Sequence, residues 1–266
     1  MDMQGISVMV TGASAGIGAA FAHELAQRGA TRIVLVARRT DRLEALAAQI
    51  GPAAEVHTCD LSDAGAITTL LDAVGPVDML INNAGFGWAA DFAAQDFDRL
   101  GEMIDLNCRG LTQLTHRCLG PMVDANRGWI LNVGSTAGLV PTPKFAIYAA
   151  TKAFVNHFTE ALRIELQGTG VKVHLLAPGP VDTEFFAVAR PDRGDDAQRP
   201  MGFIFEDAQS VARQALDALM NDKPRSIPGR PIRWAYGLAS IMPISMIRPL
   251  MSLGAHGLDR IINKDN

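Results

Sequence analysis

The chain has 266 residues, 48% of them hydrophobic and 20% charged, which is enough to bury the core of one large α/β domain. Its net charge of −4 excludes a basic polyanion-binding surface by composition, so nucleic acid is not an expected partner. Cys59, Cys108 and Cys118 lack Cys-x-x-Cys spacing and read as reduced thiols of a cytoplasmic protein, with no metal site expected.

The first predicted strand, Ile6–Val10, begins too early to leave room for a signal peptide. It runs into Thr11-Gly12-Ala13-Ser14-Ala15-Gly16-Ile17-Gly18, and a helical pattern follows through Phe21, Leu25 and Arg28. Strand, glycine turn and helix together form a cradle for a dinucleotide. Gly12 permits the tight turn, Gly16 lets a pyrophosphate approach the backbone, and Gly18 lets the helix sit close to the sheet. Ser14, Ala15 and Ile17 complete the loop, and the helix start offers N–H groups and a positive dipole end to the phosphates. The second strand, Arg32–Val36, ends in Ala37-Arg38-Arg39. An NAD site carries an acidic residue here for the ribose 2′-hydroxyl. Guanidinium groups pair with phosphate instead, so Arg38 and Arg39, with Arg42 as a third candidate, predict NADP(H).

A helix over 41–49 leads to a third strand near 55–58 and then to Cys59-Asp60-Leu61. The next helix, about 63–74, carries Ile67, Leu70, Leu71 and Val74 on one face. A fourth strand from Asp78 to Ile81 ends in Asn82-Asn83-Ala84-Gly85, with Phe86 and Trp88 as candidate walls of a substrate pocket. One long helix is expected from about 96 to 119, with Asn107 inside it, where a buried amide competes with the backbone for partners.

The fifth strand delivers Ser135, and Pro141 and Pro143 stiffen the loop after it. A helix then runs from about 145 to 167. It places Tyr148 and Lys152 four residues apart, on one face and one turn from each other. A nearby ammonium lowers the pKa of a phenol from about 10, which would let Tyr148 exchange a proton with a carbonyl oxygen near neutral pH. Ser135 at its strand end is placed to hold the same oxygen. The helix also carries Phe154, Phe158, Leu162 and Leu166 on one stripe and Ala149, Ala150 and Ala153 on another, which predicts burial against a partner.

The sixth strand, Val171–Leu176, leads into Pro178-Gly179-Pro180-Val181-Asp182-Thr183. Residues 184–205 read as a lid, with Phe185, Phe186, Met201, Phe203 and Phe205 around a polar middle, 190–199. A helix over 206–220 and a short strand at 225–227 close a catalytic domain expected to span 1–229. In the extension, 230–266, 14 residues without charge separate Arg233 from Arg248, too few to cross a bilayer and interrupted by Pro243. The extension is expected to pack on the domain or on a second subunit. The alternative is a peripheral membrane contact by 230–256 that gathers a lipidic substrate.

With the glycine loop, Ser135 and the Tyr148/Lys152 pair together, the sequence resembles the short-chain dehydrogenase/reductase family in its compact form. The resemblance covers Thr11 to Thr183 and loosens beyond about Asp207. It implies a three-layer doubly wound parallel sheet of about seven strands with helices on both faces. It also implies that Asp60 and Leu61 hold the adenine, that Asn83, Ala84 and Gly85 leave room for the adenosine ribose, and that Asn82 braces strand ends. Asn107 would kink its helix and hold a water linked to the lysine. Pro178, Gly179, Val181 and Thr183 would meet the nicotinamide end, Lys152 the nicotinamide ribose, and the Tyr148 helix would pair across a two-fold axis, giving a homodimer or a tetramer. The implied activity is reduction of a carbonyl, or oxidation of the matching secondary alcohol, on a hydrophobic small molecule such as a 3-oxoacyl or steroid-like compound. A sensor that binds NADP(H) without catalysis is the rival reading.

Overall fold

Seven strands lie parallel in one sheet, in the order β3-β2-β1-β4-β5-β6-β7. They are β1 (Ser7–Thr11), β2 (Arg32–Ala37), β3 (Ala54–Thr58), β4 (Met79–Asn82), β5 (Gly128–Val133), β6 (Val171–Leu176) and β7 (Arg225–Ser226). The computed structural model describes residues 3–189, 205–239, 242, 243, 245–249 and 251. The order reverses between β1 and β4, which opens a crevice at the carboxyl ends of those strands. The central strands are continuous apolar runs because both faces of the sheet are covered. Val8 and Val10 pack on one face and Met9 on the other, all three fully buried.

Helices α1 (Gly16–Gln27), α2 (Thr40–Ile50) and α8 (Ala208–Met220) cover the first face through Phe21, Leu25, Leu43 and Leu216. The second is covered by α3 (Ala64–Val74), α5 (Leu111–Asp124) and α6 (Ala146–Glu165), through Ile67, Leu70, Leu114, Cys118 and Leu162. Asp63 caps α3 by accepting from the Gly65 and Ala66 N–H groups, a contribution of about 1 kcal/mol.

The long helix expected over 96–119 is divided. Helix α4 (Phe97–Ile104) passes into a π-helical turn, Asp105–Gly110, and continues as α5 as far as Asp124. A π turn re-aims the side chains it carries, and the residue inside this one is Asn107. Beyond β6 come α7 (Phe185–Ala189), which is the first part of the expected lid, and α9 (Arg230–Ala239). The polar middle of the lid, Met201, Phe203 and the whole chain past 251 lie outside the described residues. Among the described residues no helix is long and apolar enough to cross a membrane, and no group of metal ligands occurs.

Candidate active site

The carboxyl ends of β1, β4, β5 and β6 open into one cleft of about 520 Å³. Its floor is the glycine loop. Gly12 has φ +66°, and a Cβ there would stand 2.8 Å from the Ala84 Cα. A Cβ on Gly18 would lie 2.2 Å from the Gly12 carbonyl oxygen, so only glycine lets α1 start this close to β1. Asn83 braces the loop from β4, its amide donating to the Thr11 and Gly12 carbonyls at 2.9 and 3.2 Å. Asn82 turns the other way, into the sheet, and donates to Thr115 and Asn132 at 2.9 Å each. Ser14, Ala15, Gly16, Ile17, Asp60, Leu61, Ala84 and Gly85 all line the cleft.

The arginines after β2 do not act alike. Arg38 reaches the Asp60 carboxylate at 3.6 Å. Burial pushes the Asp60 carboxyl up, but the Ser62 N–H and hydroxyl, with the Arg38 cation, outweigh it and hold the group below its usual range. Arg39 donates through Nε and Nη2 to the Ser14 hydroxyl at 3.2 and 3.1 Å, which fixes its guanidinium at the edge of the glycine loop. Its Nη1 meets Glu184 at 2.9 Å, and Arg42 meets the other oxygen of the same carboxylate at 2.6 Å.

At the opposite end Ser135, Tyr148 and Lys152 share one wall. Ser135 leaves β5 in extended backbone, its hydroxyl accepting the Ala137 N–H at 3.0 Å and its carbonyl accepting the Asn156 amide at 3.1 Å. Tyr148 is buried between the Phe145 and Phe185 rings, at centroid distances of 5.7 and 5.2 Å. The buried Lys152 ammonium donates to the Val133 carbonyl at 2.8 Å and sits 5.9 Å from the centre of the tyrosine ring.

One expectation is reversed here. Burial pushes the Tyr148 phenol up to about 12, against the pull of the Ser135 hydroxyl, and pushes the Lys152 ammonium down to about 8. Both groups lose water on the same wall, and desolvation disfavours each charged form. The four-residue spacing brings the pair together, but the chain alone does not make the phenol acidic.

Asn107 sits behind this wall, 1% exposed. Its amide nitrogen donates to the Phe86 carbonyl and the Thr151 hydroxyl, both at 3.0 Å, and its oxygen accepts the Phe86 N–H at 3.2 Å. It thus ties the strand end that carries Gly85 to the helix that carries Lys152. Phe86 lines the cleft, whereas Trp88 does not; the Arg99 guanidinium lies 5.0 Å from its ring centre. Pro178, Gly179, Val181 and Thr183 line the far side, with the Pro178 carbonyl held by the Thr136 N–H at 3.0 Å. The Thr183 hydroxyl caps α7 by accepting the Phe185 N–H at 3.3 Å.

Sequence reasoning missed Asn156 and Glu184. Asn156 continues the Tyr148, Lys152 series by four more residues, so the helical period could have found it. Glu184 carries no local signal, because its partners lie over 140 positions away in the chain. The three thiols are unsuited to nucleophilic work, since burial pushes Cys59 and Cys108 up to about 11 and Cys118 to about 12.

Sheet order, glycine loop and the Ser135–Tyr148–Lys152 wall together describe a dinucleotide-dependent oxidoreductase of the short-chain type. Residues 7–194 match the short chain dehydrogenase family model, and the chain belongs to that family. It is 41% identical over 190 residues to sulfoacetaldehyde reductase 2 of Chromohalobacter salexigens, covering 68% of this chain and 75% of that protein. With the NADP-dependent 3-hydroxy acid dehydrogenase YdfG of Salmonella typhi it shares 37% identity over 198 residues, 71% of this chain and 77% of the other. A solved short-chain dehydrogenase from Sphingobium yanoikuyae, in complex with NADPH, superposes with a TM-score of 0.78 at 31% identity, covering 90% of this chain and 96% of that one.

Proposed function

We propose that the protein is an NADP(H)-dependent reductase of a hydrophobic carbonyl compound, acting reversibly on the matching secondary alcohol. The observation that carries this reading is the single wall on which Ser135, Tyr148 and Lys152 meet inside the glycine-floored cleft. The residues present fit the dinucleotide. A Cβ would fill the cradle at Gly12 and Gly18, and Arg39 is anchored by Ser14 where a 2′-phosphate needs a cation. Arg38 and Arg42 extend that basic edge, and Asp60 and Leu61 take the adenine side. Asn83 and Ala84 flank the adenosine ribose, whereas Gly85, expected there too, lies beside Lys152, where a Cβ would stand 3.3 Å from its Nζ, and Pro178 to Thr183 flank the nicotinamide. When bound, NADP(H) supplies or takes the hydride.

The Tyr148 hydroxyl gives its proton to the carbonyl oxygen as that oxygen becomes an alcohol. A phenol with a pKa near 12 is adequate, because the alkoxide it meets is a base comparable to hydroxide. Ser135 donates to the same oxygen and polarises the carbonyl. Lys152, still an ammonium below pH 8, offers its remaining hydrogens to the nicotinamide ribose and its charge to any phenolate formed. Asn107 holds the Phe86 strand end and the Thr151 turn in register, the frame on which a proton-relay water is held.

The substrate end is apolar. Phe86, Pro143, Phe145, Phe185, Phe186 and Val188 line it, and Tyr236 of α9 closes one side. Among the described lining residues the cations are Arg38 and Arg39, at the β2 end, and Lys152, bound to Val133. Among the described residues lining that end Lys152 is the one cation, and its ammonium is engaged by Val133, which favours a hydrophobic 3-oxoacyl or steroid-like carbonyl over sulfoacetaldehyde. A panel of ketones and aldehydes, with NADPH absorbance as the signal, tests the substrate class; turnover confined to small anionic aldehydes would refute it. Tyr148→Phe tests the mechanism. It is expected to lower turnover by roughly 10²–10⁴-fold while NADPH binding survives.

Two properties of the whole protein follow. Phe97 and Ile104 on α4 and Phe154 and Ile164 on α6 are large apolar side chains left exposed, which a second copy would cover, so a homodimer or tetramer is expected in sedimentation. The free thiols suit a reducing compartment such as the cytoplasm. On the extension, α9 packs back through Ile232, which sits against Gly179, and exposes Trp234 and Leu238. That exposed pair favours a peripheral membrane contact as the second reading, checked by liposome flotation with and without residues 230–266.

A further inference from the structure

The Glu184 carboxylate lies between the guanidinium groups of Arg39 and Arg42, one oxygen on each, at 2.9 and 2.6 Å. Its own pKa is held below the usual carboxylate range by Arg42 and Arg39 together. Two guanidinium donors on two oxygens of one anion is the arrangement that a phosphate monoester would also take. The anion already present belongs to the chain itself. It stands one residue after Thr183, whose methyl lies 3.0 Å from where a Cβ of Gly16 would be. It stands one residue before Phe185, whose ring touches Tyr148. The segment that holds Glu184 therefore passes over the phosphate cradle and continues directly into the substrate wall.

We propose that Glu184 is an internal competitor for the 2′-phosphate, a residue that sets the affinity and selectivity for NADP(H) by occupying the Arg39/Arg42 pair whenever the phosphate does not. This rests on the reading of Arg39 as a 2′-phosphate ligand. Two anions cannot share the pair without repulsion, so the 2′-phosphate takes the arginines only as Glu184 leaves them. NADH, lacking that phosphate, gains nothing from the exchange. The side chains concerned are 43 to 46% exposed, so each ion pair is weakened by water and salt. The competition is therefore modest, and it shifts an equilibrium without blocking the site. α7 begins at Phe185 and the Val188 N–H donates back to the Glu184 backbone carbonyl, so the residue that holds the arginine pair is also the one on which α7 starts, beside Tyr148. The exchange thus links arrival of the phosphate end of the dinucleotide to the wall of the substrate pocket.

The test is equilibrium binding, by cofactor fluorescence or calorimetry, of NADPH and NADH to wild type, Glu184→Gln, Arg39→Met and the double variant. Glu184→Gln is expected to tighten NADPH roughly five- to tenfold and NADH less than about twofold, with the NADPH gain absent in the Arg39→Met background. Unchanged or weaker NADPH binding in Glu184→Gln would overturn the proposal. So would an equal gain for NADH, which would mark a diffuse charge effect and no competition for the pair. Arg39→Met separates the two layers. If it weakens NADPH while Glu184→Gln changes nothing, the cofactor reading stands and the competition falls. If it leaves NADPH untouched, both fall. Thermal midpoints of all four proteins exclude a folding defect as the cause.

Discussion

Removing the Asn107 side chain should loosen the site more than its position outside the cleft suggests. Three hydrogen bonds converge on its amide, two donated at 3.0 Å and one accepted at 3.2 Å, and the residue is 1% exposed. Asn107→Leu keeps the volume and deletes all three. It leaves the Phe86 N–H and carbonyl without their partner and takes one donor from Thr151. At about 1 kcal/mol for each partner stranded away from water, the loss is about 3 kcal/mol. For a chain of this size that corresponds to a fall in Tm of roughly 6–12 °C. Differential scanning calorimetry reads the stability, and kcat and KM read the site. The Gly85–Phe86 strand end should drift from α6, so kcat falls with the stability. A Tm within about 1 °C of wild type would show that water replaces these bonds at no cost, and the clamp would have to be abandoned.

His174 gives a pH prediction. It is fully buried, bonded to the Lys223 carbonyl and the Ser226 hydroxyl at 2.8 Å each, and burial pushes it down from 6.5 to about 4. Between those values the unfolded chain binds more protons than the folded one. Stability is therefore complete above pH 6.5 and falls as the pH drops toward 4, by about 3 kcal/mol in all. Urea midpoints across that range check it, and His174→Gln should flatten this part of the curve. Gly18→Ala places a carbon 2.2 Å from a backbone oxygen, which should cost about 1–3 kcal/mol of stability and at least tenfold in NADPH affinity; wild-type binding by titration would contradict the cradle. With the Tyr148 phenol near 12, alcohol oxidation needs a scarce phenolate. Its kcat/KM should climb close to tenfold per pH unit from about pH 6 to about pH 7.5, while carbonyl reduction stays flat. A flat oxidation profile across that range would mean that the phenol is already ionised below about pH 6 in the bound enzyme, and the buried-phenol argument would fail.

Local pattern made the strands, the glycine loop and the Tyr148/Lys152 face legible. Apolar runs, a turn that demands glycine and a helical period each act over a few residues. β6 was expected over Val171–Leu176 and is found there. The same locality explains the misses. The π turn at Asp105–Gly110 looks like ordinary helix in sequence, because only the Phe86 and Thr151 partners of Asn107 reward the extra residue. Phe86 and Trp88 read alike as pocket walls in sequence, and although Arg99 lies over both rings, only Phe86 of the two lines the cleft.

The residue types alone determined that a phenol and an ammonium would share one helical face, that three glycines would bend a loop between strand and helix, and that cations would follow β2. Tertiary structure decided the rest. Burial sets the proton affinities of Tyr148 and Lys152, and it drives both away from the charged forms that their spacing alone would favour. Which arginine is anchored, and which carboxylate it already holds, depends on Ser14 and Glu184 arriving from distant parts of the chain. Solvent exclusion and long-range pairing are properties of the assembled sheet and its helices, and no short window of sequence contains them.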